Sequence, residues 1–211
     1  MTMITPSLVP SSDPLVTAAS VLEFALAETE TELSSLVPRA AGGDSRSLQR
    51  VISIIYPKVL SYARIRLSGG RHPTPEDVAQ EICLAVATSI SKFVDQGKPF
   101  MAFVYGIASN KVADAHRAYS RDVANPTEDV PETEVELETP ESFALVAAGS
   151  NRVKELLDLL GDKPREIITL RVFVGLSAEE TAEIVGSTPG AVRVAQHRAL
   201  ATLRKALEQE N

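Results

Sequence analysis

Residues 122–150 carry eight carboxylates, no Lys or Arg, and three prolines, Pro126, Pro131 and Pro140. From Glu132 to Glu138 every second residue is acidic. Such a segment repels itself and has little to bury, so it is expected to be an extended, flexible linker. The chain must then fold on either side of it. The 211 residues are then expected to divide into a loose N-terminal extension (1–30), a first helical domain (31–121), the acidic linker (122–150) and a second helical domain (151–211).

The charge follows the same boundaries. The net charge of −7 argues against nucleic acid until its distribution is read. Residues 38–121 hold twelve basic and six acidic groups, and residues 151–211 hold nine of each. Within the second block, residues 188–207 contain Arg193, Arg198, Arg204 and Lys205 and no acid. Two positive surfaces therefore flank an acidic segment, and nucleic-acid binding depends on local field rather than total charge.

Apolar residues make up 44% of the chain, which excludes wholesale disorder, while aromatics reach only 5% with no Trp. That balance favours helix over sheet, and the expected fold class is all-α. The single cysteine, Cys83, excludes an internal disulfide, and His72, His116 and His197 are too scattered for a metal cage. No cofactor is expected. No segment reaches the roughly 18 continuous apolar residues of a membrane span, and no basic-then-apolar leader opens the chain. These features point to a cytoplasmic protein with no membrane insertion.

The helices are legible from period and punctuation. Residues 15–37 read as an amphipathic helix, and Gly42-Gly43-Asp44 stops one helix and starts the next. Leu48, Val51, Ile52, Ile55, Val59, Leu60, Ala63 and Leu67 recur at helical spacing, ended by Gly69-Gly70. Thr74-Pro75-Glu76-Asp77 is a capped helix start running to about Phe93. A further helix spans Phe100 to about Arg121. Beyond the linker, helices are expected at 151–160, 164–174, 177–185 and 188–207.

Enzyme signatures are missing. Neither diglycine leads into Lys-Ser/Thr, so both are turns rather than phosphate loops, and there is no Gly-x-Ser-x-Gly or His-Glu-x-x-His. Cys83, between Ile82 and Leu84, reads as a buried thiol. The strongest local signal lies near the C-terminus. Ser177 and Glu180 form a capping box, Ala182 is small where a helix must cross closely, and Gly186 permits a tight turn. Thr188-Pro189 then opens a second, basic helix. This is the layout of a helix-turn-helix, whose second helix enters a major groove. Arg193, His197 and Arg204 lie opposite the apolar stripe of Val192, Ala195, Ala199 and Leu203, with Gln196 and Arg198 flanking.

On the helix from Phe100, Asn110, Asp114, Arg117 and Arg121 share one face. Asn and Asp can bond base edges, Arg117, Arg121 and Lys111 can hold backbone, and Lys98 and Phe100 stand near the helix start. The same residues also suit plain surface ion pairing, and the sequence leaves both readings open. A stand-alone helix-turn-helix regulator and a helical protein-interaction module are the alternatives at this point.

The residues nonetheless carry a resemblance. Glu76-Asp77-Val78-Ala79-Gln80-Glu81, Phe100 to Asn110 with Asp114 and Arg117, and Pro164-Arg165-Glu166 through Leu170-Arg171, Gly175-Leu176-Ser177 and Gly190-Ala191-Val192-Arg193 occur in one order. Together they resemble the small two-domain RNA polymerase sigma factors of the extracytoplasmic-function type. The resemblance implies a non-enzymatic promoter-recognition subunit. It implies docking of Asp77, Gln80 and Glu81 on the clamp helices of the polymerase largest subunit, with a second contact to the flap of the second subunit. It implies minus-ten contacts by Lys98, Phe100, Asn110, Lys111, Asp114, Arg117 and Arg121. It implies minus-thirty-five contacts by Arg171, Arg193, Gln196, His197 and Arg198, and an anti-sigma factor as partner. Phe103 stands where the family usually has Trp, and Val194-Ala195 where it often has Ser-Arg, so the promoter sequence is expected to be this chain's own.

Overall fold

In the computed structural model, residues 29–67, 71–94, 97–124 and 150–209 are described. Helix α1 covers 29–41, α2 Ser45–Arg66, α3 Pro75–Ser89 and α4 Phe100–Ala124. The second unit contains α5 (Ser150–Asp158), α6 (Asp162–Ile168), α7 (Ala178–Ile184) and α8 (Pro189–Glu208). Among the described residues there is no strand.

Local chemistry sets the boundaries. Gly43, at φ 94°, turns the chain out of α1, and Asp44 caps α2 by accepting from Arg46 N–H and the Ser47 hydroxyl. Thr74 and Asp77 form a reciprocal capping box at α3, which ends in a short 3₁₀ turn, Ile90–Lys92. The expected helix at 164–174 is two structures. α6 stops at Ile168 and gives way to a π-turn over Thr169–Phe173. The five-residue spacing is fixed by Val174 N–H donating to Thr169 O, and it shifts the phase of the side chains that follow.

The amphipathic reading of 15–37 holds from residue 29 onward; residues 15–28, Gly69-Gly70 and 125–149 of the acidic linker expected at 122–150 lie outside the described residues, while 122–124 continue α4 and Ser150 opens α5. Residues 29–30, placed by sequence in the loose extension, are already helical.

In the first unit α2, α3 and α4 pack on one another with α1 alongside. Val51, Ile55, Val59, Ile82, Val86, Val104 and Ala108 are fully buried between them. Each Val or Ile so buried contributes roughly 1.5–3 kcal/mol of transfer free energy. The second unit is thinner. Leu157, Leu160, Ile168 and Ala199 form one cluster, and Ile167, Ala178, Ala182 and Val192 another. The units touch. Leu170 and Leu176 of the second join the core cluster of the first, and Ile65 of the first packs against the second.

Candidate polymerase and promoter interfaces

Asp77, Gln80 and Glu81 lie on the exposed face of α3 and line an open groove with His72, Pro73 and Leu84. Asp77 has a local task as well. Its Oδ2 accepts from the Thr74 hydroxyl at 2.8 Å and from Thr74 N–H at 3.0 Å, and these bonds hold its carboxyl below the usual carboxylate range. Glu81 accepts from Lys111 of α4 at 2.9 Å, which braces the groove against the next helix. Leu84 was not singled out as a site residue from sequence. It is 66% exposed, one turn beyond Gln80, and gives the acidic groove an apolar floor. The signal was present in its four-residue spacing from Gln80.

On α4, Asn110, Asp114, Arg117 and Arg121 are exposed on one face as the spacing predicts, and Lys111 is half-buried beside them. Arg117 pairs with Asp114, the bland alternative read from sequence, and both remain well exposed. Lys98 donates to both carboxylate oxygens of Glu183 on α7, each at 2.7 Å. Phe100 is a correction. Its ring is 3% exposed and sits in a triad with Phe93 and Phe103, at centroid separations of 5.1 and 5.7 Å. The resemblance implies a minus-ten contact for it, but here the side chain nails the start of α4 into the core. Its N–H donates to Glu30 of α1 at 2.6 Å, which supplies a helix start with the anion it favours. Phe103 and Phe93 are the half-buried members of the triad.

The helix-turn-helix forms as its sequence requires. Ser177 accepts from Glu180 N–H at 3.1 Å while Glu180 accepts from Ser177 N–H at 2.7 Å. Ala182 is buried at the crossing, Gly186 takes φ 58° in the turn, and Thr188 caps α8 by accepting from Ala191 N–H. Val192 and Ala199 face inward, with Ala195 and Leu203 half-buried beside them. Arg193, His197 and Arg198 are exposed on α8 and Gln196 is half-buried.

Arg193 donates to Glu179 at 2.6 Å, with both side chains more than half exposed. Backbone hydrogen bonding, then the Arg193 guanidinium, lowers the Glu179 carboxyl from its ordinary value. Exposed pairs of this kind contribute about 0–1 kcal/mol, so a phosphate or base can replace the carboxylate. Arg171 differs. It is half-buried, with Nε donating to Gln196 Oε1 at 3.0 Å and Nη1 donating to the Leu176 carbonyl. It joins the π-turn to α8 and holds Gln196 in place, rather than presenting a free cation.

Comparison with known proteins decides between the readings. Residues 51–122 match the model for sigma-70 region 2, and residues 150–203 match that for sigma-70 region 4. The chain is 51% identical over 174 residues to the extracytoplasmic-function RNA polymerase sigma factor SigD of Mycobacterium tuberculosis, covering 82% of each chain. The chain belongs to the extracytoplasmic-function sigma factors. It is also 43% identical to the sigma factor ShbA of Streptomyces griseus, over 85% of this chain and 97% of that one. A solved structure of CnrH in complex with the cytosolic domain of CnrY is 25% identical, with a TM-score of 0.59 over 83% of this chain and 97% of that one. This sigma factor therefore directs promoter-specific transcription initiation, and its region 2 and region 4 are the two helical units. Among the described residues no helix is long and apolar enough to cross a membrane.

Proposed function

We propose that the sigma factor docks on core RNA polymerase through the α3 groove and reads promoter DNA through α4 and α8. The division of the chain into 31–121, a linker at 122–150 and 151–211 is part of this proposal, with 29–30 and 122–124 added to the first domain and Ser150 to the second. The observation that carries it is the coexistence of two exposed surfaces of opposite character in one unit: the acidic α3 groove and the polar, cationic face of α4. A stand-alone DNA reader has no need of the first.

Gln80, Glu81 and the free edge of Asp77 offer acceptors to a basic partner surface on the clamp helices of the largest subunit, with Leu84 supplying apolar contact. Region 4 makes the second polymerase contact, on the flap of the second subunit. Asn110 can donate and accept at a base edge, while Arg117 and Arg121 hold phosphate beside it. Lys98, Lys111 and Asp114 serve there once their present partners are exchanged for nucleic acid. On α8, Arg193, His197 and Arg198 face the minus-thirty-five groove, and Arg171 and Gln196 set the pitch of that helix. Taking a base out of the stack in the minus-ten element costs a few kcal/mol, which stacking and hydrogen bonds offset. The chain performs no catalysis of its own; it works in the cytoplasm beside polymerase and is held in check by an anti-sigma protein.

The test is transcription in vitro on a randomised promoter library, with purified core polymerase and this chain. Glu81→Lys with Gln80→Lys should abolish core binding with an unchanged circular dichroism spectrum. Retained affinity in that double variant would remove the groove from the interface.

A further inference from the structure

Glu166, on α6 of region 4, is only 7% exposed, and its nearest polar partners are in the other domain. Its Oε1 accepts from the hydroxyl of Tyr62, 104 residues away, at 2.5 Å. Its Oε2 lies 2.5 Å from Nε of Arg66. Tyr62 and Arg66 belong to α2 of region 2 and are themselves 2% and 6% exposed. The pairing is sealed by apolar contacts of Leu170, Leu176 and Ile65 across the same boundary. A second link, Lys98 to Glu183, closes the far side. A carboxylate and a guanidinium buried together across two domains hold a particular docked arrangement of those domains.

That arrangement conflicts with the promoter. Elements centred near minus ten and minus thirty-five are about 25 base pairs apart, or roughly 85 Å on duplex DNA at 3.4 Å per base pair. The longest described helix, α4 with 25 residues, spans only about 38 Å. Two domains in side-chain contact cannot lie on both elements. Lys98, a minus-ten candidate, is moreover held by the helix-turn-helix itself. Among the described residues Arg66 Nη1 has no hydrogen-bond partner, so the buried guanidinium is not fully bonded in the docked arrangement. Opening returns both ions to water, which offsets part of the loss of their pairing.

We propose that Glu166 is an interdomain latch: bound to Tyr62 and Arg66, it keeps the free sigma factor closed, and docking on core polymerase opens it. This rests on the promoter-reading assignment above. The test labels the full chain for energy transfer between Thr88→Cys on α3 and Thr202→Cys on α8, both exposed positions, with the buried Cys83 replaced by Ala. High transfer is expected in the free chain and low transfer with core polymerase. Glu166→Gln, which leaves Arg66 unpaired, should lower transfer in the free chain. It should also reduce the core concentration for half-maximal transcription by on the order of tenfold, because less of the chain waits in the closed form.

The apolar replacement Arg66→Met with Glu166→Leu should restore high transfer, since buried ion pairs exchanged for packed apolar groups are commonly tolerated. That rescue separates loss of pairing from loss of folding. Equal transfer in wild type and Glu166→Gln, or equal transfer with and without core, would overturn the latch. The free-chain measurement involves no promoter, so a wild-type chain that closes but cannot direct transcription would overturn the functional reading alone.

Discussion

Region 2 buries Tyr62, Ile55, Val59, Ile82 and Val86 in one continuous core, whereas region 4 divides its interior between two clusters in which three of the eight buried residues are alanine. The first can hold long helices rigid by packing alone. The second relies on local devices: the Ser177–Glu180 box, the Gly186 turn, the Thr188 cap and the Arg171 bridge. It also borrows from its neighbour, because Leu170 and Leu176 are covered by region 2. A groove reader needs one well-aimed helix, and caps and crossings can aim a helix where the core is small. The consequence is that region 4 should be the softer domain, and the more so when undocked.

The largest expected effect tests that softness. Ile168→Ala, at a site 1% exposed, should cost about 2–5 kcal/mol, which region 4 cannot absorb. All four tyrosines, Tyr56, Tyr62, Tyr105 and Tyr119, are in region 2. In a Tyr62→Phe background, which removes the tyrosine bonded to Glu166, thermal melting followed by tyrosine fluorescence should therefore stay near that of the background, while far-ultraviolet circular dichroism gains an early transition. Coincident transitions by both probes would mean that the domains melt as one.

Next in size are the arginines of region 4. Arg193→Ala should weaken promoter binding by about 1–3 kcal/mol and relax preference at one minus-thirty-five position. Arg171→Ala should instead lower the melting temperature of region 4 and disturb several positions together through the loss of Gln196's partner. A plain reduction in salt dependence for Arg171→Ala, with stability intact, would make it a phosphate contact after all.

Capping residues allow the same chemical change to be made in each domain. Thr74→Ala and Ser177→Ala should each cost about 1 kcal/mol. In region 2 the loss should appear in core docking, because Thr74 orients Asp77. In region 4 it should appear in promoter affinity, measured by fluorescence anisotropy of holoenzyme on labelled duplex. The smallest effect is a pH dependence at the boundary between the domains. Burial, with the Arg66 guanidinium, lowers His116 from its ordinary value; Asp162 opposes this and Arg165 adds to it. A base whose closed-state pKa is depressed binds its proton more readily once solvated. The closed form should hold its full stability above about pH 6.5 and lose part of it as pH falls toward the lowered value. Energy transfer should fall on acidification in wild type and stay level in His116→Asn.

What could be read from the chain was local. Both capping boxes, the turn glycine and the face shared by Asn110, Asp114, Arg117 and Arg121 follow from spacings of three and four residues. The burial of Phe100 was not legible, because an apolar residue at a helix start carries no sign of whether its ring turns inward. The π-turn was hidden because a helical period measured over ten residues does not resolve one five-residue step. Glu166 stood inside a matched motif, yet nothing near it in sequence announces that it is buried against residues 100 and 104 positions away.

The bond from Glu30 to the Phe100 N–H has a practical reach. Residue 30 falls where sequence texture suggests dispensable tail, and a region 2 fragment cut for crystallisation or spectroscopy would naturally begin at 31. That cut deletes the carboxylate that closes the start of α4, the helix with Asn110, and the charge that faces Lys58. A fragment begun two residues earlier keeps both, so comparison of the two lengths would show how far a minus-ten reader depends on a residue seventy positions upstream of the helix it serves.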